Sequence, residues 1–279
     1  MKQRIITSVV IVAVALPILI FSQYIIFQLA LGVLSLIAMY EVLGAIGLRR
    51  NLFLAIPAYI ISAAAPVCAY FVNNEWQKNY ILAICLTLFV YMMYSFAVVV
   101  FERGRLKFSD AATLYILLVY VSVSFSSLAL LRKMGDGVVG ALYIGLVFLA
   151  AWATDVFAYF TGYFFGKHKL IPEVSPKKTV EGALGGIVFA VLAFLLFGFI
   201  VELTGAYSVN YLTLAISGFV LSVISQIGDL TASALKRERG IKDYGFIFPG
   251  HGGVMDRFDS VISICTPVMV ICMLFPPFN

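Results

Sequence analysis

The sequence predicts an all-α, polytopic integral membrane protein, and three observations carry that prediction. Hydrophobic residues make up 62% of the 279-residue chain and charged residues only 12%, where a soluble domain has roughly 25%. The mean hydropathy is +1.03. Apolar runs recur along the whole chain, most of them reaching the ~20 residues a helix needs to cross the hydrocarbon core.

The first run, Ile5 to Phe21, follows Lys2 and Arg4. Its only Ala-x-Ala, Ala13 to Ala15, falls in mid-run with more apolar sequence after it, which favours an uncleaved span over a signal peptide. Further runs at about 24–46, 53–73, 80–101, 111–131, 138–163, 183–202, 211–235 and 259–275 bring the expected total to about nine transmembrane helices. Sixteen of the 19 basic residues fall on one side of these spans, and only Lys78, Arg132 and Lys133 on the other. By the positive-inside rule the N-terminus is cytoplasmic and the C-terminal Pro276-Pro277-Phe278-Asn279 lies outside. Residues 1–135 then form an N-terminal group of about five spans, and 136–279 a C-terminal catalytic region with cytoplasmic loops at 164–182 and 236–258. The long loops all face inward, so the working face is cytoplasmic. Cys68, Cys85, Cys265 and Cys272 lie inside apolar runs without Cys-x-x-Cys spacing, as small core residues do. The net charge of +5 reports orientation and anionic headgroups or substrates, with no nucleic-acid partner implied.

Polar residues concentrate between Ser225 and Asp259. Ser222, Ser225, Gln226, Asp229, Ser233 and Lys236 recur every three or four residues and so form a polar stripe on the eighth span. Gly240 and the run from Lys242 to Gly253 hold too many glycines for a helix, and a loop of this kind lets backbone amides approach an anion closely. Asp256 and Asp259 share a face at the start of the last span, with Arg257 between them.

Two further segments carry candidate chemistry. In the sixth span Asp155, Tyr159, Gly162 and Gly166 share one helical face, and a carboxylate at membrane depth costs at least ~2.5 kcal/mol to insert. The next loop reads Ser175, Pro176, Lys177, Lys178, Thr179, Val180, Glu181, Gly182 and leads into a helix. Lysines and hydroxyls at a helix N-terminus suit a phosphate. Asp229 and Asp256 are the leading metal candidates, with Asp155 and Asp259 available for a second cation; carboxylate oxygens suit Mg²⁺. His251, among glycines and without a second nearby His or Cys, reads as a phosphate or substrate donor, not a zinc ligand. Glu41, at the end of the second span, reads as an interfacial charge. Together these residues describe phosphoryl or nucleotidyl transfer at a membrane surface, where positioning and charge stabilisation do most of the catalysis.

The residues from Ser233 to Asp259 resemble the signature of the CDP-diglyceride synthetases, or phosphatidate cytidylyltransferases. That pattern runs Ser, any, apolar, Lys-Arg, four residues, Lys-Asp, a small residue two further on, then apolar, Pro or Gly, any, His-Gly-Gly, apolar, any, Asp-Arg, apolar, Asp, and the sequence fits it at every fixed position. The segments Ser175 to Gly182 and Asp155 to Gly162 resemble the family too. The resemblance implies transfer of CMP from CTP to phosphatidic acid, giving CDP-diacylglycerol and pyrophosphate, at the cytoplasmic membrane and by a homodimer. It implies that Asp229 and Asp256 hold Mg²⁺, with Asp259 and Asp155 assisting. Lys236, Arg237, Lys242, Arg257, Lys177 and Lys178 would neutralise the phosphates, and His251, Gly252 and Gly253 would contact them. Ser175, Thr179, Glu181, Ser233, Asp243 and Tyr159 complete the expected substrate-binding set.

An ion-coupled transporter is the rival from another class, since intramembrane Asp155 and Asp229 also suit a transport site. No paired repeat links the halves, and the polar residues gather at one face. A CTP-dependent lipid kinase would use similar parts but attack the γ-phosphorus. The alcohol phosphatidyltransferases are disfavoured because no Asp-Gly-x-x-Ala-Arg run is present.

Overall fold

In a computed structural model the protein is described over residues 13–72, 77–102, 104–250 and 252–278. Residues 5–12 of the first expected span, and Lys2, Arg4, His251 and Asn279 among the residues singled out above, lie outside the described residues.

The described chain is helical almost throughout. Residues 13–20 (α1) are helical, followed by α2 (Ile25–Ala45), α3 (Leu52–Cys68) extended by a 3₁₀ turn (Ala69–Phe71), α4 (Gln77–Phe101), α5 (Phe108–Leu131), α6 (Val138–Phe165), α7 (Val180–Leu203), α8 (Tyr211–Glu238) and α9 (Met255–Leu274). Among the described residues eight helices, α2 to α9, are long and apolar enough to cross a membrane. The chain is an integral membrane protein, since a helix satisfies its own backbone polar groups where no water can.

Element ends differ from the sequence reading where charge and helix termini meet. Helix α8 runs on through Lys236 and Arg237, so these lie in its last turn and not in the following loop. Cations there complement the negative end of the helix dipole. Helix α9 starts at Met255, which puts Asp256 in its first turn at the positive end. Between α6 and α7 the expected loop holds an antiparallel hairpin of β1 (Lys169–Ile171) and β2 (Ser175–Thr179), pairing Lys169 with Thr179 and Ile171 with Ser175.

The helices group into two compact units. The first comprises the chain up to Lys133 together with Arg239–Arg257; the second comprises Met134–Glu238 and Phe258–Asn279. In the first, α2 packs on α3 and α5 around buried Met39, Leu43, Leu54, Leu114, Leu118 and Phe125. Arg132 and Lys133, two of the three minority-side basic residues, serve this packing. Arg132 Nε donates to Ser22 Oγ at 2.7 Å, and Lys133 Nζ donates to the carbonyls of Tyr70 and Val72 at the end of the 3₁₀ turn.

In the second unit α6 packs on α7 and α8, and α7 on α8. Small residues allow the close approach: a Cβ at Gly182 would lie 2.7 Å from the Ala158 carbonyl, and one at Gly186 3.0 Å from that of Thr154. The C-terminal tail closes this unit. Phe278, 3% exposed, stacks on Tyr143 and meets Phe197 edge-on, each at 6.1 Å between ring centroids. Asn210 N donates to Pro277 O at 2.9 Å to fix the tail.

Candidate active site

The second unit gathers three carboxylates from three helices. Asp155 on α6, Asp229 on α8 and Asp259 on α9 lie within electrostatic reach of one another, with Lys178 beside Asp155 and Lys236 beside Asp259. Asp229 forms an ion pair with Lys178 Nζ from the end of β2. Ser260 Oγ donates to Asp155 Oδ2 at 3.4 Å. The polar stripe on α8 explains the placement of Asp229, because a residue three or four positions from Gln226 and Ser225, and two turns from Ser222, faces the same way. Among the described residues no three Asp, Glu, His or Cys side chains form a closed metal cage.

Beside Asp155 opens a cavity of about 460 Å³ between α6, the hairpin, α7 and α8. Asp155 lies on its wall with Lys169, Lys177, Lys178 and Thr179 of the hairpin, Tyr159 and Tyr163 of α6, and Gln226 of α8. Tyr159 and Tyr163 stack at 6.3 Å, one turn apart. The result is a concave site with cations along the hairpin, an aromatic wall and the Asp155 carboxylate beside them. Such a surface can bind a phosphorylated ligand through the lysines and position a divalent cation through the acids.

The hairpin owes its shape to Glu181 and Thr179. Thr179 Oγ1 accepts from Gly182 N at 3.1 Å and so caps α7. The Glu181 carboxylate accepts from the backbone N–H of Lys167 at 3.0 Å and of His168 at 3.2 Å, and it meets His168 Nδ1 at 2.6 Å. Glu181 is thus engaged within the protein, closing the chain from α6 into the hairpin. The sequence reading of this segment as a phosphate-binding loop missed the strand, since the lysines hide it. Lys169 and Gln226 were also missed as cavity residues; their signals were a third lysine near the pair and a place on the α8 stripe.

Another group of candidates belongs to the first unit, in the glycine-rich segment after α8. Asp256 Oδ2 accepts from Tyr244 N at 2.7 Å and from Gly253 N at 3.0 Å, folding the segment back on itself. Gly252, at φ +85°, occupies the left-handed region that the turn requires, and Phe248 N donates to its carbonyl at 2.9 Å. Lys242 and Arg257 are exposed, and Asp243 is half-buried. In the second unit Ser175 is half-buried on β2, Ser233 half-buried on α8, and Arg237 exposed beside Lys236. The expected set therefore divides: Asp155, Asp229, Asp259 and Lys178 come together in one unit, while Lys242, Asp243, Gly252, Gly253, Asp256 and Arg257 belong to the other.

Glu41 corrects the sequence reading. It is 2% exposed, and so is no interfacial charge. Its carboxylate accepts from Val254 N at 3.0 Å and from Met255 N at 2.9 Å, two donors that the start of α9 leaves without helical partners.

Comparison with known proteins agrees with this architecture. Residues 2–275 match the model of the Cytidylyltransferase family. The phosphatidate cytidylyltransferase of Staphylococcus epidermidis is 36% identical over 267 residues, 95% of this chain and 96% of the relative. Those of Staphylococcus saprophyticus and Staphylococcus haemolyticus are 35% and 33% identical, each over 95% of this chain and 96% of their own. With three lysines and Asp155 lining one cavity and the match running nearly end to end, the chain belongs to the cytidylyltransferase family of nucleotidyltransferases.

Proposed function

We propose that the protein transfers CMP from CTP to phosphatidic acid, forming CDP-diacylglycerol and pyrophosphate. The observation that carries the reading is the cavity in which Lys169, Lys177 and Lys178 stand beside Asp155, in a unit that also holds Asp229 and Asp259. The names of the staphylococcal relatives support the same substrates.

A phosphate oxygen of the lipid attacks the α-phosphorus of CTP. A new P–O bond forms, the bond from the α-phosphorus to its bridging oxygen breaks, and pyrophosphate leaves with the electron pair. The nucleophile is already anionic near pH 7, so no general base is required. Lys169, Lys177 and Lys178 draw the phosphates together and offset their mutual repulsion, and the aromatic wall of Tyr159 and Tyr163 borders them.

The donor set fits Mg²⁺: the acids are hard oxygen ligands with a surplus of negative charge, and the ion uses one or two carboxylates and fills its other positions with water and phosphate. Asp229 would hold it, with Asp155 and Asp259 assisting and Asp256 as the further family position; a second cation belongs to the same reading. When bound, the ion supplies charge stabilisation for the triphosphate. The bias of basic residues supports a site facing the cytoplasm, and nine spans in the cell membrane belong to the same reading. A homodimer belongs to the same reading, and light scattering in detergent decides it.

The test is formation of CDP-lipid and pyrophosphate by purified protein given CTP and phosphatidic acid, with and without Mg²⁺, beside Asp229→Asn. Activity that needs both substrates and the metal, and that falls roughly 10²-fold or more in a folded variant, is the expected result. Release of CDP with phosphoryl transfer to the lipid would mean a kinase instead. A well-folded wild type that makes no CDP-lipid across detergents and cations overturns the proposal.

A further inference from the structure

Glu41 stands on α2, more than 200 positions before the residues it holds, and no part of it lies in the signature segment. Its two oxygens take the N–H groups of Val254 and Met255. A Cβ at Gly253 would lie 2.2 Å from Glu41 Oε1, and one at Gly245 would lie 2.3 Å from the same atom. The glycine-rich segment is therefore moulded around this one carboxylate at both of its ends. Asp256 completes the clasp from the other side by taking Tyr244 N and Gly253 N. Four backbone donors of one short segment are directed by two acids.

A carboxylate is the only side chain suited to this place. It presents acceptors alone, so it can face two N–H groups at once without offering a donor to either. Glutamine keeps the shape but turns an NH₂ toward one of them. Burial of Glu41 away from water makes that mismatch count.

We propose that Glu41 is a positioning residue of the transferase: it fixes the segment from Tyr244 to Met255 in the shape that Lys242, Gly252, Gly253 and Arg257 need to meet phosphate. The inference rests on the synthetase reading for the role of that segment, but its geometric half is independent of it. Glu41 touches no substrate in this account and acts through the backbone it holds.

The experiment compares wild type, Glu41→Gln and Glu41→Asp in detergent by thermal stability, by kcat and KM for CTP per folded molecule, and by hydrogen exchange of peptides covering 244–255. Glu41→Gln is expected to stay folded, to lose exchange protection at Val254 and Met255, and to lose about 10²-fold in kcat/KM, the scale of a small misplacement of catalytic groups. Glu41→Asp, which keeps an acceptor-only head on a shorter stem, is expected to recover part of the loss. Unchanged activity per folded molecule, or a loss fully explained by a smaller folded fraction, overturns the positioning role. If Glu41→Gln does not fold, wild-type exchange decides: rates at Val254 and Met255 as fast as at exposed Phe246 and Ile247 overturn the clasp. A wild type without transferase activity would sink the synthetase reading alone, since the exchange result stands apart from it.

Discussion

Thr154 Oγ1 donates to Ser222 Oγ at 2.9 Å, and both side chains are fully buried. The pair joins α6 to α8 immediately before Asp155 on one helix and two turns before Asp229 on the other. Hydrogen bonds between membrane helices are worth about 0.6 kcal/mol on average and at most about 1.7. Thr154→Val is therefore expected to lower the melting temperature slightly while reducing kcat more than the small stability change explains. The double variant with Ser222→Ala should be little worse than either single one, because the partners act as a unit. Additive losses in thermal melts and turnover would count against the pairing.

The ion pair of Lys178 with Asp229 joins the hairpin to α8. Lys178→Met removes a phosphate donor and leaves Asp229 without its partner. Turnover with CTP is expected to fall roughly 10²–10³-fold, the usual scale for one charged stabilising group, while Lys178→Arg should retain part of it. Steady-state kinetics on both variants, beside Asp229→Asn and the double variant, give the coupling. Independent effects would mean that the two side chains do not share a site.

Outside the spans, Asp136 caps the start of α6 by accepting from Val138 N and Val139 N, and Tyr207 Oη donates to it at 2.7 Å. The Val139 amide first, then Tyr207, hold its carboxyl below the ordinary carboxylate range. A depressed acid contributes stability above its unfolded value near 3.9, and that contribution is lost as pH falls through the lower folded value. Tyr207→Phe is expected to melt below wild type at pH 7, with the gap closing under acid conditions. A gap constant down to about pH 3 would contradict this sign.

Phe278 fills the space between Tyr143 and Phe197. Its replacement by Ala leaves a cavity, and Phe→Ala in a core typically costs about 3–5 kcal/mol. Thermal melts of Phe278→Ala should drop markedly, with activity per folded molecule near wild type because neither Phe278 nor its ring partners Tyr143 and Phe197 line the cavity. Equal stability would show the tail to be dispensable.

Much of this was legible in the sequence because a polar residue in an apolar run has few innocent explanations. Asp155 and Asp229 stood out on that ground and Lys178 on its place before a helix N-terminus, and the structure puts all three in one unit. The helices α2 to α9 followed from run length alone. The hairpin did not, because charge at Lys177 and Lys178 masked a short strand whose pairing is backbone to backbone. Glu41 was misread for a related reason. Its partners are amides, and an amide leaves no mark in a sequence.

The assignment of Arg239–Arg257 to the first unit, although α8 before it and most of α9 after it belong to the second, bears on how such chains can be recombined. Arg239 Nη1 reaches Asp110 Oδ1 at 3.4 Å at the head of α5, and Glu41 takes the other end. A chimera cut between residues 133 and 134 would join one homologue's signature segment to another's α2 and α5. Only exchanges that carry those two helices and the segment together, as one cassette, keep the fit. The apolar first half, poor in motifs, is thus the template against which the motif-rich segment is cast.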